Sequence, residues 1–338
     1  MRFKKLSRVG CNAVLGKKNM AVREAACTIV KIVLRGSMVS EVANPSSGDT
    51  GGGICPICKS NDVPRFRAKD DYQFRKCRQC AFVFLHPMPK ESVLESMYNT
   101  GGRITADNYP KAKSRFHRGL RTAIQLYRFA WRGPVLDIGC GGGFQVEAFR
   151  LLGMRPCGLD IGANSIAYAR NNFGKSTFYR ESFQEFSNRN LKFKLVYSSE
   201  VIEHIVDVDA FIASLRDLCR PGGIIIISGL CGTGFDIRVL GEYSNPVSPP
   251  HHLTFLSRKG VETLIARIGL ELLSFMTPGV LDVDIVRNIL LRKPGAVTDN
   301  FVRDLVLNES EETRAAFQNF LTENGLSSHM WIVVRRPG

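Results

Sequence analysis

From residue 134 onward, apolar and polar positions alternate between two periods. Short apolar runs of strand length at 135–138, 156–160, 177–180, 195–198 and 224–228 are separated by stretches with helical spacing. This alternation predicts a parallel, doubly wound sheet with helices on both faces. Residues 271–276 and 329–334 read as a final antiparallel pair, which makes an α/β, seven-stranded, Rossmann-like sheet over 133–338. Pro221, Gly222 and Gly223 form a turn before the fifth strand, and residues 229–248 after it read as a long loop able to act as a lid. Residues 282–325 form a mostly helical insertion whose expected role is a substrate or oligomer contact.

The chain before residue 133 follows a different pattern. Residues 89–132 read as helices capping the sheet. Within them, 111–131 carries Phe116, Leu120, Ile124, Tyr127 and Trp131 at helical spacing, which predicts a helix with an aromatic stripe turned to the core. Residues 1–53 suggest only one ordered element, an amphipathic helix over 21–34, followed at 44–53 by linker composition rich in Gly and Ser. This stretch reads as a disordered extension, or as one preceding a later start at Met20 or Met38. The rival reading is a targeting or anion-binding arm.

Charge sharpens this division. The net charge is +15, and residues 1–132 carry 25 Lys and Arg against 9 Asp and Glu, whereas 133–338 carry 21 against 22. The basic character therefore precedes a neutral α/β region. With 44% apolar residues and no apolar run approaching the roughly 20 residues of a membrane span, the composition is that of a globular protein without such a span.

The ten cysteines do not read as a disulfide framework. Cys55 and Cys58 form one CxxC and Cys77 and Cys80 a second, with 18 residues between the pairs, the spacing of a four-thiolate structural zinc site. Two such knuckles define a ribbon-like module over 54–88, too small to fold on apolar burial alone. A redox dithiol pair is the alternative. Phe82 and Phe84, with Arg65, Arg67, Arg75, Lys76 and Arg78, suggest a short hairpin with a charged face. The other cysteines are scattered on apolar stretches, as in a reducing compartment, which predicts a cytoplasmic protein.

The chemistry concentrates where the first strand ends. Gly139, Gly141 and Gly143 open a turn in which backbone can approach a nucleotide-like ligand closely. Dinucleotide enzymes also use strand, glycine loop and helix. Asp137, two residues before the first glycine, argues against a pyrophosphate ligand, and Asp160, ending the next strand, can accept hydrogen bonds from both hydroxyls of a ribose. With these residues the chain resembles the class I S-adenosylmethionine (SAM) dependent methyltransferases. The resemblance implies that Asp137 and the glycines line the methionine end of SAM and that Asp160 holds the ribose. It also places Ser182 and Phe183 near adenine, on a loose match, and Ser199 and Glu200 beside the transferred methyl. Zinc modules with both CxxC pairs are similar to those preceding the SAM domain in some bacterial methyltransferases of sugar and polysaccharide pathways.

Ser199-Glu200-Val-Ile-Glu203-His204 follows the fourth strand, and if Glu200 starts a helix, Glu203 and His204 share its face. With His252 in a later Pro-Pro-His-His segment, this element resembles two branches, the O-methyltransferases of ubiquinone biosynthesis and the small-RNA 3′-end 2′-O-methyltransferases. In the latter, matching side chains hold a divalent cation, so a catalytic cation is one expectation. The other is that His204 or His252 acts as a base oriented by Glu203. The bland alternative makes the carboxylates helix caps and His204 a wall residue.

The leading expectation is a SAM-dependent methyltransferase acting on a small hydroxylated acceptor, a sugar or a quinone- or phenol-like metabolite, by O-methylation. An RNA 2′-O-methyltransferase comes second, favoured by the basic first 132 residues but without a recognisable RNA-binding module. A SAM-binding scaffold without turnover is third. Neither the acceptor, nor the methylated atom, nor the oligomeric state follows from these residues.

Overall fold

The computed structural model describes residues 53–90, 93–94 and 104–338. The basic extension up to residue 52, with the helix expected over 21–34, lies outside the described residues, as does part of 89–103.

Two knuckles begin the described chain. In each, the residue four after the first cysteine, Lys59 or Ala81, takes a left-handed φ of 63° or 57° and donates its N–H to that cysteine's carbonyl (3.0 and 2.9 Å). The same turn made twice points two sulfurs from each knuckle at one point. Strands β1 (Arg65–Lys69), β2 (Tyr72–Lys76) and β3 (Val83–Leu85) form an antiparallel meander around them.

The central sheet consists of β4 (Pro134–Ile138), β5 (Arg155–Asp160), β6 (Thr177–Arg180), β7 (Phe193–Ser199), β8 (Cys219–Leu230), β10 (Glu271–Met276) and β11 (His329–Arg335), in the order β10-β11-β8-β7-β4-β5-β6. Only β11 runs against its neighbours β8 and β10. This is the expected doubly wound, Rossmann-like sheet. Among the described residues the helices α1 (Ala112–Ala130), α2 (Phe144–Leu151), α3 (Ala163–Asn172), α4 (Phe183–Ser187), α5 (Val208–Leu218), α6 (Phe235–Leu240), α7 (Arg258–Arg267), α8 (Asp282–Arg292), α9 (Asn300–Leu307) and α10 (Glu311–Glu323) accompany it.

Strand side chains divide by parity. Val135, Leu195, Tyr197, Ile226 and Val333 pack with Ala123, Leu126 and Ala130 of α1 and Phe149 of α2. Leu136, Val196, Ile225, Ile227, Ile332 and Val334 pack with Phe211 and Leu215 of α5 and Leu264 of α7. Each such aliphatic residue contributes about 1.5–3 kcal/mol by leaving water, which holds the strand ends rigidly beneath the site.

Four features differ from the sequence reading. Helix α1 forms as expected, but it buries Gly119, Thr122, Ala123, Leu126 and Ala130, leaving Ile124 and Trp131 63% and 62% exposed. The helix lies so close to α2 that a Cβ on Gly119 would sit 3.1 Å from the Phe144 carbonyl, so small residues win the inner face. Residues 229–248 are no lid. They finish β8 and form α6, which joins α8, α9 and α10 in one buried cluster, with Phe235 against Phe317 at 5.2 Å. The ribbon is not bounded at 88 either. A short strand β9 (Thr254–Phe255) pairs with β3 through Val83 with Phe255 and Phe84 with Thr254, completing the ribbon's sheet. Phe82 and Phe84 are buried, and Ile57, Phe82 and Phe84 share a core with the main sheet instead of backing a free charged hairpin. Finally, Glu200 starts no helix. It takes a left-handed φ of 56°, and only a 3₁₀ turn, Ile202–His204, follows.

Candidate active site

The carboxyl ends of β4, β5 and β7 open into a cleft of ≈ 430 Å³ lined by Asp137, Gly139, Gly141, Asp160, Ser199 and Glu200, with Tyr109, Arg118, Gln145 and Tyr197. Gly141 has φ 51°, and a Cβ there would meet the Tyr109 hydroxyl at 2.7 Å, so only glycine keeps this wall open. Asp160 organises the loop. Its Oδ2 accepts from the Gly141 N–H (2.8 Å) and its Oδ1 from the Gly162 N–H (2.7 Å), and each oxygen keeps a lone pair for a ligand.

The buried Asp137 carboxyl is pushed up to about 8, first by burial and then by the charge of Asp160. Glu203, also buried, is pushed up to about 8 by burial and by neighbouring Glu200, and its Oε2 has no hydrogen-bond partner in the protein. Both folded values lie above those of unfolded carboxyls, so the folded protein holds protons that the unfolded chain releases. The stability these groups contribute is complete below about pH 4 and is lost as pH rises through about 8. Glu200, held low, contributes a constant amount above pH 6. Ligand-free protein should therefore melt several degrees lower at pH 9 than at pH 6 in scanning fluorimetry; equal midpoints would show that neither carboxyl is held protonated.

Beside Glu200 lie three imidazoles. The His204, His251 and His252 rings stand 4.5–4.9 Å apart, and one nitrogen of each falls within 4.8 Å of the others. His204 Nδ1–H donates to the His251 carbonyl (2.6 Å) and His252 Nδ1–H to the Pro246 carbonyl (2.5 Å), which leaves both Nε2 atoms available as acceptors. Burial lowers all three, His204 to about 4, so they are neutral at pH 7. Leu253 N–H donates to the Glu203 carbonyl (2.7 Å) and Thr254 Oγ1 to that of Ile202 (3.2 Å), so β9 fixes the loop that carries His251 and His252.

At the far end of the ribbon, Cys55 and Cys80 Sγ are 3.5 Å apart and Cys58 and Cys77 Sγ 3.4 Å, all four lying within 4.8 Å of one another. Zinc–sulfur bonds of about 2.3 Å place tetrahedral sulfurs about 3.8 Å apart, so this set fits zinc with little movement.

A family model described as a methyltransferase domain matches residues 113–274. The match spans just under half of the chain and marks this stretch as similar to methyltransferase domains. Over 111 residues it is 36% identical to the ubiquinone biosynthesis O-methyltransferase of Chelativorans sp. (strain BNC1), covering 32% of this chain and 43% of that protein. Over 99 residues it is 37% identical to the enzyme of the same name from Rhodopseudomonas palustris (strain BisB18), covering 28% and 39%. The matched stretch thus spans about two fifths of the length of these relatives. A solved SAM-dependent methyltransferase from Archaeoglobus fulgidus superimposes with a TM-score of 0.42 at 18% identity, over 65% of this chain and 94% of that one.

Within this stretch the structure gathers Asp137, Gly139, Gly141, Asp160, Ser199 and Glu200 around one cleft. Gly143, with φ 79°, faces away from it, and a Cβ there would strike the Phe178 ring at 2.7 Å. Ser182 and Phe183 do not line the cleft: Ser182 caps α4 in a capping box with Glu185, and Phe183 packs edge-on against Phe211 at 5.1 Å. Glu203 points inward and does not orient His204, whose ring is held by a backbone carbonyl instead. The expected two-carboxylate, two-imidazole set is therefore replaced by three imidazoles, with His251 added. The domain also begins before residue 133, since α1 and Tyr109 form part of the cleft wall. Among the described residues no helix is long and apolar enough to cross a membrane.

Proposed function

We propose that the chain transfers a methyl group from SAM to the hydroxyl of a small acceptor, a phenol- or quinol-like molecule or a sugar. The observation that carries this reading is the cleft itself, where Asp137, the glycine loop and Asp160 form one wall and Glu200 leads directly to the histidine cluster. The ubiquinone O-methyltransferase relatives support oxygen as the methylated atom.

Asp160 binds the two ribose hydroxyls, while Asp137, Ser199 and Glu200 face the methionine end. SAM supplies an electrophilic methyl on a sulfonium, displaced in line, so the domain needs only to align the acceptor oxygen and take its proton. His204 or His252 accepts that proton at Nε2, because each Nδ1–H is already committed to a carbonyl. The burial that lowers these imidazoles keeps them unprotonated at neutral pH. The same free nitrogens, with His251, are the ligands for a divalent cation, which would acidify the acceptor hydroxyl when bound. Inhibition by EDTA, reversed by one added metal, would assign the cluster to the cation; insensitivity assigns it to the base.

The test is S-adenosylhomocysteine formation by full-length protein with SAM and three acceptor classes: catechols, glycosides and short RNA. Turnover with a catechol or glycoside is expected, and His204→Ala should lower it at least tenfold. Turnover with RNA alone, with steeply salt-dependent RNA binding, would replace this reading by 2′-O-methylation of RNA, which the basic first 132 residues favour. SAM binding without turnover on any acceptor would make the domain a scaffold.

A further inference from the structure

His329 and Trp331 lie more than 120 residues beyond Glu200, at the start of the reversed strand β11, where His329 pairs with Leu230 and Trp331 with Ser228 of β8. Glu200 follows directly on β7, at the other side of β8, its N–H donating to the Ser228 carbonyl (2.9 Å). Two contacts join the three side chains in series. Trp331 Nε1 lies 3.0 Å from His329 Nε2, and His329 Nδ1 lies 3.2 Å from Glu200 Oε1. An indole nitrogen can only donate, so His329 Nε2 must accept, and the imidazole proton must reside on Nδ1, facing the Glu200 carboxylate. A second proton on this ring would set donor against donor at Trp331.

The helical insertion ends at the same place. Asp282, the first residue of α8, accepts from Ser327 Oγ (2.5 Å) and Gln318 Nε2 (2.9 Å) at Oδ2 and from the Ser328 N–H (2.7 Å) at Oδ1. The insertion thus anchors the two residues that precede His329, while Gln318 fastens α10 to α8 through the Val283 N–H (2.9 Å). Glu200 needs such an anchor. Its left-handed backbone departs from the strand, and its side chain is half-exposed at the cleft wall, free to swing unless something holds it.

We propose that His329 and Trp331 are positioning residues that aim the Glu200 carboxylate into the SAM cleft, and that the 282–325 insertion serves this site by clamping the strand start that carries them. Trp331 sets the tautomer, His329 delivers the hydrogen bond, and Asp282 fixes both at their register. The proposal rests on reading the cleft as the SAM site.

The experiment uses ligand-free full-length protein with ¹⁵N-labelled histidine and ¹³C-carboxyl-labelled glutamate. In the wild type the neutral His329 ring should be the Nδ1–H tautomer, and in Trp331→Phe the Nε2–H tautomer should become populated because the opposing donor is gone. His329→Ala should raise the titration midpoint of Glu200, and His329→Asn, whose amide can donate from nearly the Nδ1 position, should restore it. SAM affinity by calorimetry should fall about tenfold in His329→Ala and recover in His329→Asn. A neutral wild-type His329 found as the Nε2–H tautomer, or a Glu200 titration unmoved by His329→Ala, would overturn the relay. Failure of the wild type to bind SAM would instead remove the cofactor reading, and the magnetic resonance results would still decide the relay on their own.

Discussion

Asp160→Ala should weaken SAM binding by about 100-fold or more. The side chain has two tasks, offering two oxygens to the ribose and holding the Gly141 and Gly162 amides in place, so its loss removes ligand contacts and slackens the loop together. Truncating one partner of a buried, charge-assisted set costs about 2–5 kcal/mol, and each 1.4 kcal/mol is a factor of ten. Calorimetric titration of the purified variant measures this directly, and Asp160→Asn separates the tasks, since the amide keeps one acceptor but places a donor against an N–H. A dissociation constant within about threefold of wild type in Asp160→Ala would mean that the ribose lies elsewhere.

Loss of the cysteine cluster should have the largest effect on stability. Purified protein is expected to contain one zinc per chain, and Cys77→Ser to release it. Structural zinc sites in small modules contribute about 10 kcal/mol or more to folding. Here part of the ribbon core also packs on the main sheet, so the melting midpoint should fall by about 10 °C or more. SAM binding should suffer less than methyl transfer, because the cysteines reach the histidine loop through β9 but touch no residue of the glycine loop. Metal analysis showing under a tenth of an equivalent of zinc, with a reducible Cys pair in its place, would favour the redox alternative.

Legibility in the sequence followed the range of the forces involved. Strands 177–180 and 271–276 were readable to the residue, because strand length and period are local properties of apolar runs. Asp137, Gly139, Gly141 and Asp160 meet at one cleft as the motif implies, because a tight strand-to-helix turn restricts residue type at fixed spacing, whereas Gly143 turns away toward Phe178. The inner face of α1 was not readable, since Gly119 and Ala123 win it by size, a property of the partner helix that hydrophobicity does not encode. Nor was Glu200. A carboxylate before an apolar turn reads as a helix start, and nothing local announces that its backbone is left-handed or that its partner is His329. Nothing local distinguishes His251 beside His252 for a related reason, since the β9 pairing brings both rings to His204. The ribbon's boundary failed in the same way, because a two-residue strand at 254–255 has no periodicity to detect.

That two-residue strand also sets an order of events in synthesis. The four cysteines leave the ribosome early, but β3 acquires its neighbour only when Phe255 has been made, about 170 residues after Leu85. At ordinary elongation rates this interval is on the order of 10–30 s. During it the nascent chain presents four thiols and an open β3 edge without the surface that finally covers them. Capture of the metal by the emerging knuckles would protect both, so the cell's zinc supply would govern how much of this protein reaches its finished form, well before any question of turnover arises.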